Sequence, residues 1–124
     1  MNIRQIDHVS LHVKDVEASA AFYAGVLQLE RLPRPKLSVP GAWFRIGQHQ
    51  QLHLIGGRTE EIHSAMRGNH FAVEVDDIQS WERHLRDRNI PFDGPSVRPD
   101  GATQIFLKDP EGHVVEFYEQ QSPQ

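Results

Sequence analysis

The chain carries eight histidines, seventeen acidic residues and no cysteine. Any metal or proton chemistry therefore falls to imidazole and carboxylate, not to thiolate. Two histidines stand out by context. Asp7-His8-Val9-Ser10-Leu11-His12-Val13-Lys14-Asp15-Val16 matches Asn69-His70-Phe71-Ala72-Val73-Glu74-Val75-Asp76-Asp77-Ile78 position by position. His8 falls on His70, Leu11 on Val73, Val13 on Val75 and Asp15 on Asp77. In each copy the histidine sits on the polar face of a strand, because side chains alternate along extended chain. Glu116, in Val115-Glu116-Phe117, occupies a polar face of the same kind near the C-terminus. Two histidines and a carboxylate from separate strands suit a divalent ion such as Fe(II), Mn(II), Ni(II) or Zn(II). Aligning Gln50-Gln51-Leu52 with Val115-Glu116-Phe117 offers Gln51 as a fourth donor. His53, two residues on and on the same face, is the alternative with the better ligand chemistry. Taken singly, a strand histidine is more often a hydrogen-bonded structural residue than a ligand. The joint placement of His8, His70 and Glu116 sets them apart from His49, His63, His84 and His113, which read as surface residues.

Positioning these side chains requires two copies of one supersecondary unit. Residues 6–13 read as a strand, Asp15 as a helix N-cap, and Val16, Ala20, Tyr23 and Leu27 as the apolar stripe of the helix. A short strand over 29–32 follows, then a stiff loop with Pro33, Pro35 and Pro40. Residues 42–46 and 50–55 read as a hairpin turning at Gly47-Gln48-His49. The second copy follows a polar linker over 58–68. Its strand covers 69–75 and Asp77 caps a helix over 78–88. A loop with Pro91, Pro95 and Pro99 precedes strands over 103–107 and 113–119, separated by the turn Asp109-Pro110-Glu111-Gly112. Ser122 to Gln124 reads as a frayed tail. The expected fold is α+β: two βαβββ modules, about 4–57 and about 68–120, forming one domain over 1–124 and curling into a trough around a metal site. Modules of this size bury too little surface to be stable alone, so they are expected to share a core.

The formal net charge of −4, without a block of like charge, disfavours nucleic acid or an anionic membrane as main partner. No run approaches the ~20 apolar residues of a membrane span, and the N-terminus lacks the apolar core of a signal peptide. A cytoplasmic protein with a small-molecule substrate is expected.

These residues resemble the vicinal-oxygen-chelate superfamily, which includes glyoxalase I, fosfomycin-resistance proteins, bleomycin-resistance proteins, methylmalonyl-CoA epimerase and extradiol dioxygenases. The resemblance is carried by Asp7-His8-Val9, Phe22-Tyr23 with Leu27, Gln51-Leu52-His53-Leu54, Asn69-His70-Phe71-Ala72-Val73, and the run from Phe106 through Asp109-Pro110-Glu111-Gly112-His113 to Phe117. It implies paired βαβββ modules around a divalent metal, with His8, His70 and Glu116 as ligands and a further one from the fourth strand. It also implies a metal-dependent lyase, isomerase or dioxygenase acting on vicinal oxygens, with Glu116 able to move a proton. A homodimer is implied, with His8 and the fourth-strand ligand from one chain and His70 and Glu116 from the other. The alternative is a non-catalytic protein that binds a drug or other small molecule. Two departures stand out: Gln51 where glyoxalase I has Glu, and Gln28 where many relatives have Gly after the first helix. Arg45, sharing a strand face with Trp43, is a candidate contact for an anionic or aromatic substrate.

Overall fold

Two aspartates set the chain's punctuation. Asp15 accepts a hydrogen bond from the Ala18 backbone N–H at 3.0 Å and starts helix α1, Val16–Gly25. Asp77 does the same for Ser80 at 3.3 Å and starts α2, Ile78–Asp87. Each carboxylate satisfies a backbone donor that a helix start leaves without a partner. The computed structural model describes residues 1–121; the tail over 122–124 lies outside the described residues.

The chain divides into two compact units, Met1–Glu61 and Ile62–Gln124. In the first, β1 (His8–His12), α1, β2 (Arg31–Leu32), β3 (Gly41–Ile46) and β4 (Gln50–Ile55) form a βαβββ unit. Its sheet runs in the order β1-β4-β3-β2, with β1 parallel to β4 and the other pairs antiparallel. In the second, β5 (Phe71–Glu74), α2, β6 (Phe92–Val97), β7 (Thr103–Lys108) and β8 (Val114–Glu119) repeat the order as β5-β8-β7-β6. The fold is α+β, two four-stranded mixed sheets with one helix each. Among the described residues no helix is long and apolar enough to cross a membrane.

Alternation decides which face each helix covers. In the first unit Leu11, Ala42, Phe44, Leu52 and Leu54 are buried on one face with Ala20, Phe22 and Tyr23 of α1. In the second, Ile105, Leu107, Val115 and Phe117 are buried with Ile78 and Leu85 of α2. Removing this apolar area from water at about 25 cal/mol per Å² stabilises each sheet–helix layer. The opposite faces mix polar and aromatic side chains, with His53 beside Trp43 in the first sheet and Glu116 beside Phe106 in the second.

The structure departs from the sequence expectation in the second unit. The proline-bearing loop after α2 contains a strand, β6, paired with β7. Pro95 has no N–H to give a ladder. It sits where the β6–β7 register shifts, between Asp93 and Ser96, which is where sheets tolerate proline. A left-handed residue follows each helix, Gln28 two residues past the α1 cap Val26 and Asn89 next to the α2 cap Arg88, each at φ 56. Gln28 thus adopts the conformation that glycine adopts without a side-chain clash.

Candidate metal centre

The polar face of the first sheet assembles a row of rings. Cross-strand register places His8 beside Gln51, Ser10 beside His53, and Trp43 beside His53. The Trp43 and His53 rings stack at 4.3 Å and 9°, and His53 stacks on His8 at 4.2 Å and 17°. The His53 Nε2–H donates to Gln51 Oε1 at 2.8 Å. This assignment leaves Nδ1 as the lone-pair nitrogen of a neutral ring. Burial, then the charge of nearby His8, pushes the His53 pKa down, which favours that neutral form. His8 Nδ1 lies 2.8 Å from Asp7 Oδ2, an acceptor, so Nδ1 donates and Nε2 is the nitrogen that offers a lone pair in the neutral ring. A carboxylate that fixes a histidine's tautomer in this way is the usual support for a metal-binding imidazole.

This register revises the repeat alignment. Glu116 lies beside Ala72 and Phe106. Its counterpart in the first sheet, beside Ser10 and Trp43, is His53 and not Gln51. The reason is packing. Glu116 is flanked by core residues Val115 and Phe117, and among the β4 residues only His53 is likewise flanked, by Leu52 and Leu54. Gln51 instead sits opposite His8 and holds His53 by hydrogen bonding.

The second sheet builds its polar face from charge. The segment before β5 folds into a tight loop. Ser64 Oγ donates to the Asn69 carbonyl at 2.8 Å, and the Asn69 amide donates to the His63 carbonyl at 3.0 Å. The Ser64 hydroxyl oxygen also accepts from the Val114 N–H at 2.8 Å, tying the loop to β8. His70 is held within it: Nδ1 faces the Ala65 and Gly68 carbonyl oxygens at 3.2 and 3.1 Å. Both are acceptors, so Nδ1 carries the proton. Phe106 meets the ring edge-to-face at 5.4 Å. Nε2 then points at Glu116 Oε1, 3.1 Å away. Glu116 is buried, with its side chain 6% exposed. A lone pair cannot face a carboxylate unaided; either a second ring proton or a bound cation must lie between them. Two ligand atoms held side by side at about 2.1 Å from one ion are themselves about 3 Å apart, so His70 and Glu116 fit a divalent ion.

Arg98, which the sequence reading passed over, completes this cluster. Its Nη1 donates to Glu116 Oε2 at 3.0 Å. Asp100 grips it from the far side, accepting from Nη2 at 2.6 Å and Nε at 3.2 Å. The guanidinium also lies over the Tyr118 ring, 4.5 Å from its centre. Asp100, then Glu116, raises the Arg98 pKa further, and Arg98 holds Asp100 down to about 2. The sequence signal was Arg98-Pro99-Asp100-Gly101, a β-turn signature with proline second and glycine fourth. The Gly101 N–H does bond the Arg98 carbonyl at 2.8 Å.

Among the described residues no cluster of three or more His, Asp or Glu side chains forms; the donors come in pairs. His8 with His53 belongs to the first unit, His70 with Glu116 to the second. Arg45, the candidate substrate contact, pairs with Glu30 at 3.2 Å on the surface.

The family model of the Glyoxalase/Bleomycin resistance protein/Dioxygenase superfamily matches residues 5–117. The chain is 30% identical to human mitochondrial methylmalonyl-CoA epimerase, over 94% of this chain and 74% of that protein. It is 28% identical to the lactoylglutathione lyase of Haemophilus influenzae, over 95% and 94%. A crystal structure of a glyoxalase family protein from Bacillus anthracis superposes with a TM-score of 0.84, at 28% identity and 98% coverage of each chain.

Proposed function

The chain belongs to the Glyoxalase/Bleomycin resistance protein/Dioxygenase superfamily, and we propose that it is a divalent-metal-dependent enzyme acting on a small substrate with neighbouring oxygens. The superfamily includes metal-dependent glyoxalase I, thiol transferases and antibiotic-binding proteins, and its members commonly use divalent metals. The observation that carries the reading is the His70–Glu116 pair, a carbonyl-anchored imidazole whose remaining nitrogen faces a buried carboxylate oxygen at 3.1 Å.

In this reading His8, His70 and Glu116 are ligands, and the register favours His53 over Gln51 as the fourth. A bound divalent ion would supply Lewis-acid stabilisation of charge on the substrate's paired oxygens. The protein's own groups do the rest. Asp7 and the Ala65 and Gly68 carbonyls fix the two histidine tautomers. Arg98 occupies Glu116 Oε2, so Oε1 is the one oxygen left either to hold the ion or, when released from it, to move a proton between neighbouring carbons of the substrate. The protein works as a homodimer, with His8 and His53 of one chain serving the same ion as His70 and Glu116 of the other.

The reading is tested with acetohydroxamate, a probe presenting two neighbouring oxygens. Calorimetry should show it binding the metal-loaded protein and neither the chelator-treated protein nor His70→Ala. A second reading, sequestration of a flat drug, is favoured by the stacked Trp43, His53 and His8 rings. It requires a flat aromatic ligand that binds equally well with and without metal.

A further inference from the structure

Glu116 has two oxygens and they have different partners. Oε1 faces His70 Nε2 at 3.1 Å; Oε2 accepts from Arg98 Nη1 at 3.0 Å. Arg98 is itself clamped. Asp100 takes two of its donors, Tyr118 lies under its plane, and the Arg98–Gly101 turn fixes its backbone. The Arg98 N–H also bonds the Ala102 carbonyl at 2.7 Å, and the Asp100 carboxylate accepts from the Ala102 N–H at 3.1 Å. A guanidinium held this firmly is a fixed feature of the carboxylate's surroundings, not a mobile surface charge.

We infer that Arg98 is a positioning residue that restricts Glu116 to one-oxygen ligation of the metal, keeping a coordination position open for substrate. This rests on the metal-site reading above. A carboxylate with both oxygens free can bind an ion through both and consume two positions. A catalytic ion must keep positions open, and a substrate binding through two oxygens needs two. With Oε2 engaged by Arg98 Nη1, only Oε1 is available. Asp100 acts one step further out, aiming the guanidinium.

The charge balance argues against the simpler idea that Arg98 binds an anionic substrate. Its positive charge already lies against two carboxylates, Asp100 and Glu116. Three of its five N–H donors are committed to them.

The experiment loads the purified full chain with Co(II) and records its visible d–d absorption, which reports coordination number and geometry, alongside affinity by competition with a chromophoric chelator. Relative to wild type, Arg98→Met should change the shape and intensity of the Co(II) band as the second Glu116 oxygen becomes free to bind, and change affinity by about tenfold, the scale on which outer partners of ligands act. Arg98→Lys, which keeps a charged donor but not the fork, should restore part of the wild-type band. Asp100→Asn should shift the band in the same direction by less. It also carries the test should Arg98→Met fail to fold by circular dichroism. A wild-type Co(II) band and wild-type affinity in the folded Arg98→Met protein, or in Asp100→Asn if that variant has to stand in, would overturn the inference. Failure of the wild-type chain to bind Co(II) at all would instead overturn the metal reading beneath it.

Discussion

The same strand position carries His53 in one unit and Glu116 in the other, and the two are held by different forces. The row Ser10–His53–Trp43 in the first sheet matches Ala72–Glu116–Phe106 in the second. His53 sits between two flat rings and bonds a neutral amide. Glu116 sits between a histidine and an arginine and is almost wholly buried. A duplicated scaffold fixes where a side chain points; the neighbours that each copy recruits decide its charge. The first unit keeps a neutral imidazole, which suits a ligand that must offer a lone pair. The second places a carboxylate between an imidazole nitrogen and a guanidinium.

That contrast predicts unequal damage. Replacing a ligand should have the largest effect: His70→Ala should weaken divalent-metal binding by more than about 100-fold, exceeding what outer-partner changes cause. Next, Glu116→Ala leaves Arg98 and His70 facing an empty, largely buried space. It should destabilise the fold by about 2–3 kcal/mol, less than a fully buried pair because both partners are about a quarter exposed. His53→Ala removes only stacking and one amide bond and should cost about 1 kcal/mol. Urea unfolding of the metal-free variants measures both, and equal losses would break the comparison.

The helix ends sharpen it further. Gln28 and Asn89 share φ 56 after equivalent helices, but asparagine tolerates this region better than glutamine. Gln28→Gly should therefore stabilise by about 1 kcal/mol and Asn89→Gly by less, read as shifts in thermal midpoint. The smallest effect concerns acid. Arg98 lowers the Asp100 pKa to about 2. A depressed carboxylate contributes stability above its unfolded pKa of about 3.9 and loses it as pH falls toward 2. The difference in acid unfolding between wild type and Asp100→Asn should thus be present at pH 5 and gone near pH 2.

Periodicity made much of this legible. The repeat around His8 and His70, the aspartate caps and the alternating strands all followed from residue types at fixed spacing, because alternation and capping are local. Sequence alignment alone sets Gln51 against Glu116, two residues from the structural counterpart His53. Both Gln51 and His53 lie on the polar face, and only strand pairing distinguishes them. Strand β6 was hidden because Pro91, Pro95 and Pro99 read as loop, whereas the tolerance of Pro95 depends on the register shift against β7. Arg98 was hidden for a related reason: its place beside Glu116 is set by the β6–β7 turn meeting the middle of β8. Charge partners that meet through tertiary pairing leave no periodic trace.

The central claim is that a divalent ion is held by donors from both repeats. It is tested most directly by elemental analysis of chain purified without a tag and dialysed against a defined mixture of divalent ions, beside His8→Ala and His70→Ala. The account predicts one ion per chain in the wild type, its loss from each variant, and partial recovery when the two variants are mixed after partial unfolding. An ion-free wild type, or variants that retain the ion at full stoichiometry, would contradict it.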